Sequence, residues 1–464
     1  MWTALLAIAV ALAWAVPAAA DQTVVKTGRI TSTNPDWVYV PVNVPAGTRE
    51  IAVSYSYNRD PGNTLDIGIF DSDGIGLGNN AGFRGWSGGA RSSFTISRSA
   101  ATPGYRPGRI EPGTWNVILG PYQVGPTGID YRIEITLRSG PPGPRFVPRP
   151  PREFVPGPGR GWYRGDLHVH TVHSDGQFLP GDAADRAVAA NLDFFFSSEH
   201  NTDTANSIWD LHRRPGLLVI GGEEITTRAG HWNALGLPAG TWIDWRYRPS
   251  DGQLGRFTGQ VRRLGGLSIA NHPTCPLSGC GWLFGYRDMD LIEVWNGPWD
   301  VFDNQAIQVW ENELRSGNFI PLAGASDAHR DPQVIGLPQT VVRAVRLSRT
   351  RVLAGLARGR SYVAESAQVA LGMKAFTRRD RAGIGRRLRA RPGEAVLVRL
   401  RVGGAAGAVA TLHTEDGVVA TSTVNGNPGT VTAALPAATD WVRAEVRRTS
   451  GGSMVALTNP IFIR

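Results

Sequence analysis

The chain has 464 residues, 48 Lys+Arg against 39 Asp+Glu (net charge +9) and 42% hydrophobic residues, too long for one ordinary domain and too apolar for a disordered chain. Its 57 Gly and 32 Pro follow no Gly-X-Y period, which excludes collagen, and two cysteines exclude a disulfide scaffold or a Cys-rich zinc site. Nearly all the positive charge is arginine, Lys26 and Lys374 being the only lysines, and no basic run alternates with stacking aromatics as a nucleic-acid groove would require.

In chain order, the apolar run Leu5–Val16 followed by Pro17, Ala18, Ala19 and Ala20 has the pattern of an export signal cleaved after Ala20, although its first residues carry no Lys or Arg. The run is short of the roughly 20 residues a membrane span needs, and no later segment could anchor the chain. Residues 1–20 are therefore expected to be a signal peptide, and the mature protein periplasmic or secreted. Residues 21–139 show short alternating runs (37–44, 50–57, 65–70, 93–97, 115–119, 131–137) separated by Gly, Pro, Asn and Asp, which predicts an antiparallel β-sandwich. Asp71 and Asp73 in DSDG read as a turn rather than a calcium loop, since the remaining ligands of an EF-hand are missing. Residues 140–161 are dense in proline and predict an extended spacer. Residues 162–367 alternate strand-like and helical runs, which predicts parallel strands with crossover helices and a barrel of about seven or eight strands. Residues 368–464 return to an all-β pattern and predict a second sandwich.

The polar residues at the strand ends of 162–367 carry the chemistry. HVHTVHSDG places His168 and His170 two apart on a strand, so both rings share one face, and Asp175 follows in the loop. SSEHN supplies His200, GGEEIT supplies Glu223 and Glu224, GHWNALGL begins with His231, IANHP ends with His272, and SDAH gives Asp327 and His329. Six of the nine histidines thus fall at strand termini of one domain, with acids beside them. Imidazole and carboxylate ligands without thiolates point to a multinuclear site for Zn, Mn or Fe. His212 and His413 lie outside this pattern and read as surface or structural residues, while His173 is left open because its spacing puts it off the face of His168 and His170.

These motifs, in this order, resemble the PHP (polymerase and histidinol phosphatase) superfamily of metal-dependent hydrolases; GHWNALGL, IEVWNG and the flanking sandwiches look like its CehA/McbA branch. The resemblance covers about 165–365. It implies a distorted (β/α)7 barrel flanked by the two β-sandwiches and holding two or three divalent ions. Carried over by motif, His168, His170, Glu224 and Asp327 hold the first ion, Glu224, His231 and His272 the second, and Asp175, His200 and His329 the third. Glu199 and Glu223 are second-rank groups that orient ligands. The implied activity is phosphoesterase, on a mono- or diester, with a metal-bound hydroxide attacking phosphorus and Arg330 contacting the phosphate; the expected partner is a small anionic substrate, with neither nucleic acid nor membrane.

Two other readings stay open. Carbamate or carboxylic ester cleavage uses the same hydroxide, and Trp232, Trp242, Trp245, Trp282, Trp295 and Trp299 could wall a site for an apolar substrate, although burial is the commoner fate of tryptophan. A non-catalytic surface or glycan-binding protein would place function in the sandwiches instead. Cys275 and Cys280 in CPLSGC are expected to close a short disulfide in an oxidising compartment, the alternatives being two free thiols or a zinc-binding pair lacking partners.

Overall fold

The computed structural model describes residues 20–157, 159–435 and 439–464; the apolar run Leu5–Val16 lies outside them. The N-terminal block has eight strands, β1 (Gln22–Ile30), β2 (Val38–Val44), β3 (Thr48–Tyr57), β4 (Thr64–Phe70), β5 (Phe83–Gly88), β6 (Ser93–Ser97), β7 (Gly113–Gln123) and β8 (Ile129–Ser139). They form two antiparallel sheets, ordered β1-β8-β3-β6 and β2-β7-β4-β5. Ile51, Val53, Ile133 and Ile135 of one sheet meet Leu65, Ile67, Val117 and Leu119 of the other, the alternation a sandwich core requires. Its second sheet departs from simple alternation. Phe70, Phe83, Trp86 and Ile118 are also buried, on its outer face, where they join Trp232, Trp242 and Trp245 in a core shared with the next domain.

The central block contains β9 (Gly161–Val169), α1 (Pro180–Ala189), β10 (Phe194–Ser197), β11 (Leu218–Thr227), β12 (Gly230–Leu235), α2 (Leu254–Arg263), β13 (Leu267–Ala270), β14 (Leu291–Asn296), α3 (Val301–Arg315), β15 (Leu322–Ala325), β16 (Gln339–Ala344), α4 (Arg349–Leu356) and β17 (Ser361–Ala364). Helix α2 buries Leu254, Phe257 and Val261, one face at helical spacing. Helix α3 starts at a capping box in which the Asp300 carboxylate accepts from the Asp303 amide and the Asp303 carboxylate from the Asp300 amide.

The expected (β/α)7 barrel is not what forms. Seven strands lie in the order β15-β14-β13-β12-β11-β10-β9, but β12 runs antiparallel to both neighbours. The sheet curves far enough for Val169, at the end of β9, to form one isolated parallel bridge with Ala328, and no ladder joins β9 to β15. The reason is local: only Arg228 and Ala229 separate β11 from β12, whereas a parallel crossover needs about a dozen residues. The hairpin is held by Thr227, whose hydroxyl donates to the Gly230 carbonyl and accepts from the Ala229 amide, and by Gly230 at a φ of 119°. Short 3₁₀ turns, not an α-helix, connect β10 to β11.

The C-terminal block holds β18 (Ala370–Phe376), β19 (Arg381–Gly383), β20 (Arg387–Leu388), β21 (Leu397–Gly403), β22 (Val409–Thr414), β23 (Gly417–Thr423), β24 (Gly429–Ala434), β25 (Trp441–Arg447), β26 (Met454–Thr458) and β27 (Ile461–Ile463). One sheet is β19-β18-β21-β24. The other is not separate from the central block: pairing continues without a break through β9-β16-β17-β26-β25-β22-β23.

Asn459, fully buried just beyond β26, locks this continuity. Its carboxamide oxygen accepts from the Leu322 amide at 2.9 Å, and its nitrogen donates to the Leu322 carbonyl and to the Ser361 carbonyl and hydroxyl. Replacing Asn459 by Ala strands buried backbone groups on β15 and β17, and urea denaturation should record a loss of about 2–4 kcal/mol.

Residues 140–157 run over the surface as an extended strap, tied by the Arg149 amide to the Ser207 carbonyl and the Val155 amide to the Leu347 carbonyl. Among the described residues, no helix is long and apolar enough to cross a membrane.

Candidate metal centre

The strands of the curved sheet bring six imidazoles and three carboxylates to one end. His168 and His170 flank Val169 at the end of β9; Val169 turns the other way, into the apolar layer under α1. Glu224 on β11 is the hub. Its carboxylate oxygens lie 3.2 Å from His168 Nε2, 3.4 Å from His170 Nε2, 2.8 Å from His200 Nδ1, 3.3 Å from His231 Nδ1 and 3.4 Å from His272 Nε2. Asp327 Oδ1 stands 3.2 Å from His168 Nε2 and 3.1 Å from His170 Nε2. On the open side, Asp175 Oδ1 is 3.3 Å from His329 Nε2 and 3.6 Å from His200 Nε2.

These approaches are close but misaligned for hydrogen bonding. His168 Nε2, His170 Nε2, His231 Nε2, Glu224 Oε2 and Asp327 Oδ1 are all shielded from solvent and have no hydrogen-bond partner. Orphaned polar atoms of this kind are rare in folded proteins and costly. Five of them, all on imidazoles and carboxylates in one cluster, form the donor set a divalent cation takes. The ligand atoms fall into groups within 4.8 Å of one another: His168, His170 and Asp327; His168, Glu224 and His272; and His170, Asp175, His200 and His329. A fourth group adds Cys280 to His231 and His272, but Cys280 is bonded to Cys275 and has no thiolate to offer.

Charge follows the same logic. Burial opposes ionisation of Glu224, yet His200 and His168 beside it outweigh that and hold its carboxyl well below the usual range. Asp327, half-buried, is likewise held low against desolvation by His168 and His170. Burial works against a protonated His200, but Glu224 and Asp175 raise it to about 10. His170 goes the other way, pushed down to about 3 by burial with His329 and His200 adjacent. The acids thus draw positive charge to the centre, from imidazolium or from a cation.

A second layer fixes the rings. Glu293 on β14 faces His168 Nδ1 at 3.3 Å and accepts from the His272 amide at 2.8 Å and from the Asn296 side chain at 3.0 Å. Asn271 donates to Glu224 Oε1 at 2.9 Å. Glu199 accepts from Ser174 and Thr171, and Ser174 Oγ lies 3.3 Å from His170 Nδ1. Such partners set tautomer and ring orientation. Two residues of the cluster sit at positive φ, His272 at 26° and Asp327 at 50°, a strained backbone of the sort concentrated at functional sites.

Not every polar residue singled out in the sequence joins the cluster. Glu223 points to the opposite face of β11, where its carboxylate accepts from the Ile243 amide. His173 turns to Thr204 Oγ1 at 2.9 Å. His413 lies in the C-terminal block beside Thr411 and Glu445. Trp232, Trp242, Trp245 and Trp295 are buried in packing cores. Glu293 and Asn271 are not singled out in the sequence; Glu293 inside the apolar run LIEVW is the one that local pattern could have exposed, a charge in the middle of a buried strand.

The centre opens into a cavity of about 780 Å³ whose lining includes Asp175, His200, His231 and exposed Arg330, together with Trp37, Asp66 and Arg91 of the N-terminal sandwich. A smaller cavity of about 320 Å³ reaches His272 and Asp327 from the side of the Cys275–Cys280 disulfide.

No family model and no curated protein matches this chain. Among solved structures it is similar to a two-domain protein from Bacteroides vulgatus described as containing a predicted PHP-like metal-dependent phosphoesterase. Identity is 20%, covering 68% of this chain and 99% of that one, with a TM-score of 0.39. It is also similar to a proposed metal-dependent phosphoesterase from Bifidobacterium adolescentis, at 16% identity over 41% of this chain and 94% of that one, with a TM-score of 0.29. Both neighbours are described as metal-dependent phosphoesterases.

Proposed function

We propose that this protein is an exported, metal-dependent hydrolase of the PHP type, in its CehA/McbA-like branch, acting on phosphate mono- or diesters. The observation that carries the reading is the set of five orphaned ligand atoms around Glu224. His168, His170, Glu224 and Asp327 would hold one ion, Glu224, His231 and His272 a second, and Asp175, His200 and His329 a third. Bound divalent ions supply such a site with water of lowered pKa and with charge stabilisation for phosphoryl oxygens.

The chain's own residues do the rest. Glu293 and Glu199 keep the His168 and His170 rings aimed inward, so that little reorganisation is needed when ligands bind. Arg330, exposed on the cavity lining, would contact an anionic substrate there. The Pro17–Ala20 cleavage pattern and the Cys275–Cys280 disulfide support export to an oxidising compartment.

The test is elemental analysis of purified protein together with an aryl phosphomonoester, an aryl phosphodiester and an aryl carbamate assayed side by side. The expected result is two or three bound Zn, Mn or Fe ions and chelator-sensitive turnover of a phosphate ester. Turnover of the carbamate alone would replace the phosphoesterase reading with a carbamate hydrolase on the same centre.

A further inference from the structure

The N-terminal sandwich does more than pack on the central block: it supplies a wall of the cavity that opens onto the candidate metal centre. Arg228 stands where the two meet. It occupies the tip of the β11–β12 hairpin, between Glu224 and His231 in the chain, and reaches into the N-terminal domain. Its guanidinium lies over the rings of Trp37 (5.0 Å) and Tyr122 (5.4 Å) and donates once, through Nη1 to the Tyr122 carbonyl at 3.1 Å. Nε and Nη2 are shielded from water and have no partner. Arg91, on the same lining, donates through Nη2 to the Val172 carbonyl, in the loop that carries Asp175, and its Nε is also unpartnered.

A carboxylate that could neutralise Arg228 is nearby. Asp66 on β4 lines the same cavity and feels the charge of Arg228, yet among the described residues no hydrogen bond or ion pair reaches its carboxylate. Two half-buried guanidinium groups that line a cavity and keep donors no protein group takes are an arrangement that an anion completes. Trp37 adds the second element. It is half-buried, packed edge-on against Trp86 (5.8 Å) and Trp245 (5.6 Å), and lines the cavity.

We propose that Arg228 and Arg91 bind the phosphoryl oxygens of the substrate and that Trp37 packs against a planar aromatic ester group on it, so that the N-terminal sandwich sets the specificity of the site for aromatic phosphate esters. The assignment rests on the phosphoesterase reading for the reacting group, but the binding it describes is measurable without turnover.

The experiment is isothermal titration of the full-length, metal-containing protein with phenylphosphonate and with methylphosphonate, which are not hydrolysed. Wild type should bind phenylphosphonate about tenfold more tightly. Trp37→Leu should bring the two affinities within about twofold by weakening only the phenyl compound. Arg228→Gln should weaken both by about tenfold or more, with Arg228→Lys recovering part of the loss. Equal affinities in wild type, or a preference that survives Trp37→Leu, would overturn the proposal. So would Arg228→Gln binding as wild type, or losing its metal, which would make Arg228 scaffolding. If the phenyl preference responds as stated but no phosphate ester is hydrolysed, the cleft assignment stands and the phosphoesterase reading falls. Hydrolysis with affinities indifferent to both substitutions does the reverse.

Discussion

Glu224→Gln should strip the candidate metal centre to one ion or none while leaving the chain folded. The carboxylate stands within 3.4 Å of nitrogens on five imidazoles, and the substitution keeps its shape while removing the charge around which they gather. Groups that merely orient metal ligands cost about 10–100-fold in affinity or activity when removed, and Glu224 sits at the centre of the set they orient. Metal content by elemental analysis should fall to one ion per chain or fewer, and ester hydrolysis by at least about 100-fold. A Glu224→Gln protein with full metal content and wild-type turnover would remove Glu224 from the centre and the proposed chemistry with it.

The second large effect lies between domains. Trp242 stacks on Phe83 of the N-terminal sandwich with ring centres 4.1 Å apart and planes 5° apart, and its Nε1 donates to the Asn201 carbonyl at 3.1 Å. Asn201 follows His200 and is held at a φ of 55°. Trp242→Ala removes a fully buried ring from the shared core and leaves that carbonyl unsatisfied, so denaturation should show a loss of about 3–5 kcal/mol. Trp242→Phe keeps most of the packing and gives up the hydrogen bond, and should cost about 1–2 kcal/mol. Because the same carbonyl steadies the residue beside His200, the Ala variant should also turn over substrate more slowly at temperatures where it is still folded. Equal stability of Trp242→Ala and wild type would mean that the two domains are not coupled through this core.

Much of the centre was legible because it is written locally. His168-x-His170 and Asp327-x-His329 are two-residue spacings, and a strand puts such pairs on one face whatever the rest of the fold does. The choice of Glu224 over Glu223 rests on the resemblance, through the acid's place in the GGEEIT motif, and the structure sends the two to opposite sides of β11. The arrangement of the sheet was less legible. Strand order and direction depend on pairings between distant segments, and hydrophobic period says nothing of these; the (β/α)7 expectation failed at Thr227–Gly230, although two residues between strands already forbid a crossover helix. The wall formed by Trp37, Asp66 and Arg91 was not legible at all, since nothing in the N-terminal alternation says that its second sheet is covered on both faces. Phe70, Phe83 and Trp86 gain meaning only beside Trp242 and Trp245.

The unbroken pairing of β17 with β26 bears on how the protein must be made. A ribosome delivers every candidate ligand by His329, but the flank of Ser361–Ala364 stays bare until Met454–Thr458 has emerged and Asn459 has swung into place between Leu322 and Ser361. Through that interval the nascent sheet presents a raw edge of the kind that recruits strands from neighbouring molecules. Cutting the gene at the apparent border near residue 368, as one would to isolate the middle domain, would make that passing exposure permanent.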